Sequence, residues 1–486
     1  MGGDRTLFDQ LAEYAAGDMY PFHMPGHKRN MPQFEQLYRH DITEIDGFDS
    51  LHGASGILRS AQERAAALYR SSETYFLVNG ATSGLLAAVG ACCRPGERIL
   101  IARNCHRSVY NAAIMHQLCV SFVYPRPLKT PGVYGGVAPE DVENALSDRG
   151  IRAVVITSPT YEGVISDVFR IAQICHAHNV PLIVDEAHGA HFGLAPECPA
   201  SSVDAGADLT VHSVHKTLPA LTQTALLHVN GSLVDRERVA YYVSAYLSTS
   251  PSYLLMASID EAMNMVELEG GELFARLGHD LSEFSHEASG LRHLSLLNQT
   301  VNARERERCA VAGWDPGRLV FVSDKAGGKE IMEQLRREDH VELEMAGMRH
   351  AVAIATIRDT EEGFCRLLNG LQRLDGRIGE RPDLPPVRAY ASLFGRAADM
   401  TQELPCINVS AAVNAREKRR MSFDEAAWRR ACCAEFVYLY PPGIPLLAPG
   451  ETISARVSEA VRECRAEGLF VEGLSDRSGK TVLTLP

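Results

Sequence analysis

The chain has 486 residues, 45% of them hydrophobic and 22% charged, which is the composition of an ordinary globular protein long enough for two or three domains. Its formal charge of -13, from 48 basic against 61 acidic side chains, gives no field that favours nucleic acid or an anionic membrane, so a small molecule is the expected partner. The opening MGGDRTLFDQLAEYAAGD lacks the basic stretch and apolar run of a secretory signal, no apolar segment approaches the ~20 residues of a membrane span, and a cytoplasmic location is expected.

In chain order, Arg59 to Arg70 has helical periodicity, Tyr75 to Val78 reads as a strand, and Ser83 to Cys93 reads as a helix. Arg98 to Ala102 is a strand and Cys105 to His116 a helix, making two crossover units in sequence. The runs Ala153 to Thr157 and Pro181 to Asp185 are continuously apolar and β-branched, as strands buried on both faces require, with a helix from Val168 to His178 between them. Strands at Leu209 to His212 and Thr224 to Val229 follow, then a helix from Leu233 to Tyr246. The rhythm fades from Leu291 to Trp314 and returns with the strand Arg318 to Val322. Gly376 to Val387, rich in Pro, Gly and charge, is the best linker. This divides the chain into an arm (1–45), a large domain (46–285), a small domain (286–375) and a C-terminal domain (388–486). The twelve cysteines fall irregularly and never as C-x-x-C, so they are read as mostly reduced core thiols, and no metal site is expected.

The strongest chemical signal is Ser213-Val214-His215-Lys216-Thr217, directly after a strand and about thirty residues past Asp185-Glu186-Ala187-His188. A lysine after a strand is by itself an ordinary surface residue. Asp185, however, closes the apolar run PLIV, and the C-terminal ends of parallel strands are where open α/β sheets bind ligands. A carboxylate there calls for a cationic partner, which the pyridine nitrogen of pyridoxal 5'-phosphate (PLP) supplies, while Lys216, its pKa lowered by desolvation or a nearby cation, offers the amine that forms an imine with that cofactor. Asn79-Gly80-Ala81-Thr82-Ser83-Gly84 lies between a strand and a helix, and its hydroxyls and free N–H groups suit either a phosphate or a simple helix cap by Thr82 or Ser83. His106 begins the next helix at the same sheet edge, as a ring-stacking imidazole or as a cap. His188 ranks after it, and His215 adjoins the lysine.

Taken together these segments resemble the bacterial ornithine/lysine/arginine decarboxylase family. The resemblance runs through Pro21-Phe22-His23-Met24-Pro25-Gly26-His27-Lys28, Asp41 to Glu44, Asp49 to His52, Phe76 to Gly80, Asp185 to His191, Ser213 to Gln223, and Tyr440 to Leu447 with Pro449-Gly450-Glu451. It implies an α/β protein of the aspartate aminotransferase-like (fold type I) PLP-dependent fold, with a mostly parallel sheet in the large domain and a smaller α+β C-terminal region. It implies PLP as cofactor, Lys216 as the imine lysine, Asp185 on the ring nitrogen, His106 stacked on the ring and His188 beside it. Ala81, Thr82, Ser83, Ala187, Ser213 and His215 are expected around the cofactor. A homodimer is implied, with the active site at the subunit interface and Ser250, in Ser248 to Tyr253, reaching the neighbouring subunit's cofactor. Because the PGHK motif arrives by residue 28, the chain resembles the short form without the N-terminal wing domain.

The implied activity is decarboxylation of lysine, ornithine or arginine to the amine and CO2, in polyamine-type metabolism. Glu44, Asp46, Asp49 and Glu451 are the candidates for the substrate's distal cation, the first three equally readable as a solvated loop. The chain departs from the family pattern at Phe48, Ala54-Ser55 and Ala81, and Asn414 to Ala426 is more basic than expected before the YPPGIP motif. The rival readings are another reaction of the same fold, such as transamination or aldol cleavage, and a regulatory descendant without activity.

Overall fold

The computed structural model describes residues 18, 20–22, 42, 44, 48–147, 150–387, 408–439 and 444–486. Most of the PGHK motif, Asp46, and Tyr440 to Gly443 lie outside the described residues.

The centre is a seven-stranded sheet formed by β1 (Glu73–Leu77), β2 (Arg98–Ala102), β3 (Cys119–Val123), β4 (Ile151–Thr157), β5 (Leu182–Asp185), β6 (Leu209–His212) and β7 (Ala225–Val229). Its order is β1-β7-β6-β5-β4-β2-β3. The neighbours from β6 to β3 pair in parallel, whereas β7 runs antiparallel to both β6 and β1. The parallel strands return through helices such as Arg107–Met115 and Val168–Ala177, which bury their apolar faces on the sheet. Val154, Val155, Ile156, Leu182, Ile183 and Val184 are 0% exposed, which is why the sequence offers unbroken apolar runs there instead of alternation. Removing each such side chain from water contributes roughly 1.5–3 kcal/mol, so the middle strands anchor everything mounted on their ends.

A 36-residue helix, Tyr253–Ala288, leads out of this layer, and the boundary drawn at residue 285 falls in its last turn. Beyond it, Ser295–Leu296, Arg318–Val322, Met345–Ala346 and His350–Ile354 form a four-stranded antiparallel sheet backed by the helices Gly328–Asp339 and Glu361–Ile378. The latter helix takes in Gly376, so the irregular run begins at 379, three residues later than composition suggests. One apolar cluster continues from Tyr69 and Phe76 through the central sheet to Phe321 and Phe364, which ties the small domain to the large one. A separate cluster around Phe423, Val437, Leu446, Val457, Val461 and Val482 holds the C-terminal strands and helix together. This is the expected α/β architecture with a mostly parallel sheet and a smaller α+β C-terminal region.

Elements that escape the pattern reading include the strand Cys119–Val123 and the helices Pro139–Leu146, Tyr253–Ala288, Gly328–Asp339 and Glu361–Ile378. Of the cysteines, eleven are described and all are free thiols. Among the described residues no helix is long and apolar enough to cross a membrane.

Candidate active site

Asp185 ends β5 and Ser213 follows β6, so the parallel sheet delivers both to one edge. Here a cavity of about 310 Å³ opens, at the low end of the ~300–1,000 Å³ typical of small-ligand sites. Its walls include Ala81, Thr82, His106, Asp185, Ala187, His188, Ser213, His215 and Lys216, so sequence positions from 81 to 216 converge on one space. A larger open groove of about 890 Å³ lies at the opposite strand ends. There Arg152 pairs with Glu97, and Arg238 donates to the carbonyls of Gly90, Ala91 and Cys93, so those cations are already engaged.

Lys216 sits in the short helix Val214–Thr217, and its Nζ is 2.9 Å from His188 Nε2. Burial pulls its pKa down from 10.5 to about 8; Asp185 opposes that fall and Arg318 adds to it. Asp185 is 3% exposed and accepts a hydrogen bond from the Ala187 N–H at 3.2 Å. Burial raises its pKa, against the attraction of Lys216 and that N–H. His106 caps the helix Arg107–Met115, accepting from the Ser108 N–H, and burial with the nearby Lys216 pushes its pKa to about 3. It is therefore the helix cap, and it also lines the cavity as a neutral ring.

The helix Gly80–Cys92 points its N-terminus at the same space. Gly80 has φ +75°, a left-handed conformation that a side chain would strain, and it turns the chain from β1 into the helix. The first N–H groups of a helix have no intrahelical acceptor, which suits an anion. Thr82 faces the cavity, whereas the Ser83 hydroxyl donates to the Gly80 carbonyl at 2.8 Å and is not on the wall. His215 Nδ1 donates to the Thr224 carbonyl at 2.9 Å.

The other expected residues lie elsewhere. Ser250 is exposed in the connection between the helices Arg236–Tyr246 and Tyr253–Ala288, off this cavity wall. Glu44 is exposed. Asp49 Oδ2 accepts from the Ser55 and Gly56 N–H groups at 2.9 and 2.6 Å, organising the start of the helix Ile57–Tyr69, and these bonds hold its pKa low. Glu451 is taken by Arg103, with contacts of 2.8 and 3.1 Å, while the same guanidinium binds the Pro445 and Leu446 carbonyls. Arg103 is 3% exposed, so this pair clamps the C-terminal unit to the large domain. Glu451→Gln, which leaves that cation buried without its anion, is expected to lower unfolding free energy by about 3 kcal/mol in urea titrations.

Three groups absent from the sequence reading complete the cavity. Glu162 and Glu344 line it, and Arg318 stands behind His188. Glu162 is 3% exposed, its Oε2 has no hydrogen-bond partner among the described residues, and burial raises its pKa to about 7. His350 Nε2 lies 3.7 Å from its Oε1, but burial pushes that histidine's pKa to about 4, so the imidazole gives Glu162 no cation near neutral pH. Glu344 accepts a hydrogen bond from the Tyr161 hydroxyl. Asn104 Oδ1 and Thr157 Oγ1, also on the wall, are buried without partners among the described residues. A phosphorylated pyridine fits this lining, with an acid at the ring end, an amine beside it, a helix N-terminus for the anion and polar atoms awaiting partners.

The comparisons agree with this geometry. Residues 5–299 match the model of the Orn/Lys/Arg decarboxylase major domain. The chain is 30% identical over 491 residues to an arginine decarboxylase of Bacillus anthracis, covering 99% of this chain and 97% of that one. It is also 30% identical to an arginine decarboxylase of Bacillus subtilis, over 97% and 96% of the two chains. The solved structure of lysine decarboxylase A from Pseudomonas aeruginosa superposes with a TM-score of 0.77 over 99% of this chain and 80% of that one, at 21% identity. The fold is therefore that of the type I PLP enzymes, and the chain belongs to the Orn/Lys/Arg decarboxylase family.

Proposed function

We propose that the chain decarboxylates a basic amino acid, arginine first among the candidates, with PLP carried on Lys216. The observation that carries the reading is the convergence of Lys216, Asp185 and two neutral histidines on one cavity at the C-terminal strand edge. When bound, PLP supplies an electron sink for the pair left at the substrate's α-carbon as CO2 departs.

The chain's residues do the rest. Lys216 would anchor the cofactor and, once released by substrate, carry a proton to the α-carbon; an amine with a pKa of about 8 is suited to gain and lose one. Asp185 holds a proton at the ring nitrogen. His106, on the cavity wall, would hold the ring, and His188 fixes the lysine. Thr82, Ser213, His215 and the N-terminus of Gly80–Cys92 take the phosphate, with Ser83 contributing its N–H and not its hydroxyl. Ala81 and Ala187 bring backbone and small side chains close to the ring. The buried walls exclude water, which strengthens each of these electrostatic contacts.

Glu162 and Glu344 are the proposed receptors of the distal cation. A guanidinium presents several donors in a plane and so matches two carboxylates better than an ammonium does. The relatives named arginine decarboxylases, which align in sequence over nearly the whole chain, support the same choice, since in sequence a lysine decarboxylase of Pseudomonas aeruginosa aligns over 54% of it. Glu162→Gln is expected to raise KM for arginine by roughly ten- to a hundredfold, with a smaller effect on kcat. Because the pKa of Glu162 is raised to about 7, its carboxylate forms as pH climbs through that value. KM for the parent should therefore fall from pH 6 to 8 and stay level in the variant. We further place the enzyme in the cytoplasm as a homodimer, with Ser250 reaching the neighbouring subunit's cofactor.

The test is release of CO2 from carboxyl-labelled arginine, lysine and ornithine, together with borohydride trapping of PLP on Lys216. Keto-acid formation without CO2 would favour transamination. No trapped cofactor and no turnover would return the chain to a regulatory role.

A further inference from the structure

Arg318 begins the first long strand of the small domain, 130 positions from His188, yet its guanidinium ends against that histidine. It is 5% exposed. One nitrogen, Nη2, donates to the His188 carbonyl at 2.9 Å and approaches His188 Nδ1 at 3.1 Å. A guanidinium has donors only, so Nδ1 must be the acceptor and carry no proton. Burial, with Lys216 and Arg318 nearby, keeps the ring neutral, and its single proton is then on Nε2. That proton faces Lys216 Nζ at 2.9 Å, and an N–H can be accepted there only by a lone pair.

We infer that Arg318 is a positioning residue: by fixing the tautomer of His188 it favours the unprotonated, nucleophilic form of Lys216 before the cofactor binds. The inference rests on the reading of Lys216 as the cofactor lysine.

The guanidinium is itself held. Asp315, 2% exposed, lies 3.5 Å from Arg318 Nε and is steadied at Oδ1 by His191 Nε2 at 3.0 Å and the Gly317 N–H at 2.9 Å. On the other side the arginine stem packs against Gly163, where an added Cβ would stand 2.6 Å from Arg318 Cβ. Gly163 also has φ +86°, a conformation that strains a side chain, so a larger residue there would both strain the backbone and press on the arginine. Of the charged groups that act on Lys216, Asp185 and Glu344 favour its protonation, while Arg318 opposes it, and the buried Glu162 carboxyl lines the same cavity. His106 and His215, which also face this space, act on His188 in the direction of neutrality.

The experiment uses the full-length chain freed of cofactor. Acetylation of Lys216 by acetic anhydride is followed by peptide mass spectrometry from pH 6 to 11, giving the midpoint at which the amine becomes reactive. The parent midpoint is expected at about 8. Arg318→Met removes both the cation and the donor that sets the tautomer, so His188 can turn an acceptor toward an ammonium, and the midpoint should rise by roughly one pH unit or more. His188→Phe leaves Arg318 and its charge in place but takes away the N–H that faces the lysine's lone pair, and should raise the midpoint by roughly half a unit. A rise in both variants is the expected result. An unmoved His188→Phe midpoint overturns the inference even if Arg318→Met shifts, because the arginine would then act through charge alone. Should Arg318→Met fail to fold, His188→Phe decides. Borohydride trapping of PLP is scored separately: a shifted midpoint without trapping sinks the cofactor reading and leaves the tautomer argument standing, and trapping with unmoved midpoints does the reverse.

Discussion

Lys216→Ala is expected to abolish borohydride-stable attachment of PLP and to lower kcat/KM for decarboxylation by at least roughly 10³-fold, the upper part of the range for loss of a positioned proton-transfer group. No other amine can replace it. Among the described residues lining the cavity it is the only lysine, and the nearest cation, Arg318, is a permanently charged donor turned toward His188. The variant also tests whether Lys216 is kept for function at the expense of stability. The folded chain depresses the lysine's pKa from 10.5 to about 8, so between those values the unfolded chain holds a proton that the folded chain has released. Below pH 8 the fold bears the full cost of a buried ammonium, and above 10.5 it bears none. The parent therefore gains stability relative to Lys216→Ala as pH rises from 8 to 10.5. Thermal unfolding of both proteins without cofactor across that interval should show the gap moving in the parent's favour. A constant gap would mean that the lysine titrates alike in both states.

What was legible in the sequence had a short-range cause. Ile156 and Val184 belong to strands buried on both faces, and that burial writes itself as an unbroken apolar run. Asp185 and Lys216 are marked by standing at the ends of such runs. The strand Cys119–Val123 was missed because CVSFV carries a cysteine and a serine inside a short run, and Ser121 is buried all the same. The distal part of the site has no comparable local signature. Glu344 comes to the cavity from the small domain and Arg318 reaches His188 across 130 positions, so only the packing of two sheets brings them together. The one available hint was Tyr161-Glu162-Gly163 shortly after the strand end at Thr157, at the same edge as Asp185.

Carboxylates misled the reading for the converse reason. Glu451 belongs to a motif of the family, but its partner Arg103 lies 348 positions away, and a buried guanidinium claims a carboxylate more strongly than a ligand site would. Asp49 is spent on the N–H groups of Ser55 and Gly56. In both cases residue type was read correctly as charge needing a partner, and the partner proved to be the chain itself.

Asp185→Asn carries the second large effect. Its amide cannot hold a proton on the ring nitrogen by charge, so kcat should fall by roughly 10² to 10³-fold, the loss typical when one preorganised electrostatic group is removed. Attachment on Lys216 should persist, which distinguishes this variant from Lys216→Ala: cofactor bound, turnover nearly lost. The same substitution acts on the lysine with a definite sign. Asp185 is the attraction that raises the Lys216 pKa against burial, and without it the amine should become reactive below pH 8. Arg318→Met moves the midpoint up and Asp185→Asn moves it down, so the two variants bracket the parent from opposite sides. If both moved it in one direction, general disturbance of the cavity would be the cause. Opposite movements would show that the lysine is set between an anion that favours its proton and an arginine that opposes it, and the His188 variant then says whether the arginine acts through the histidine.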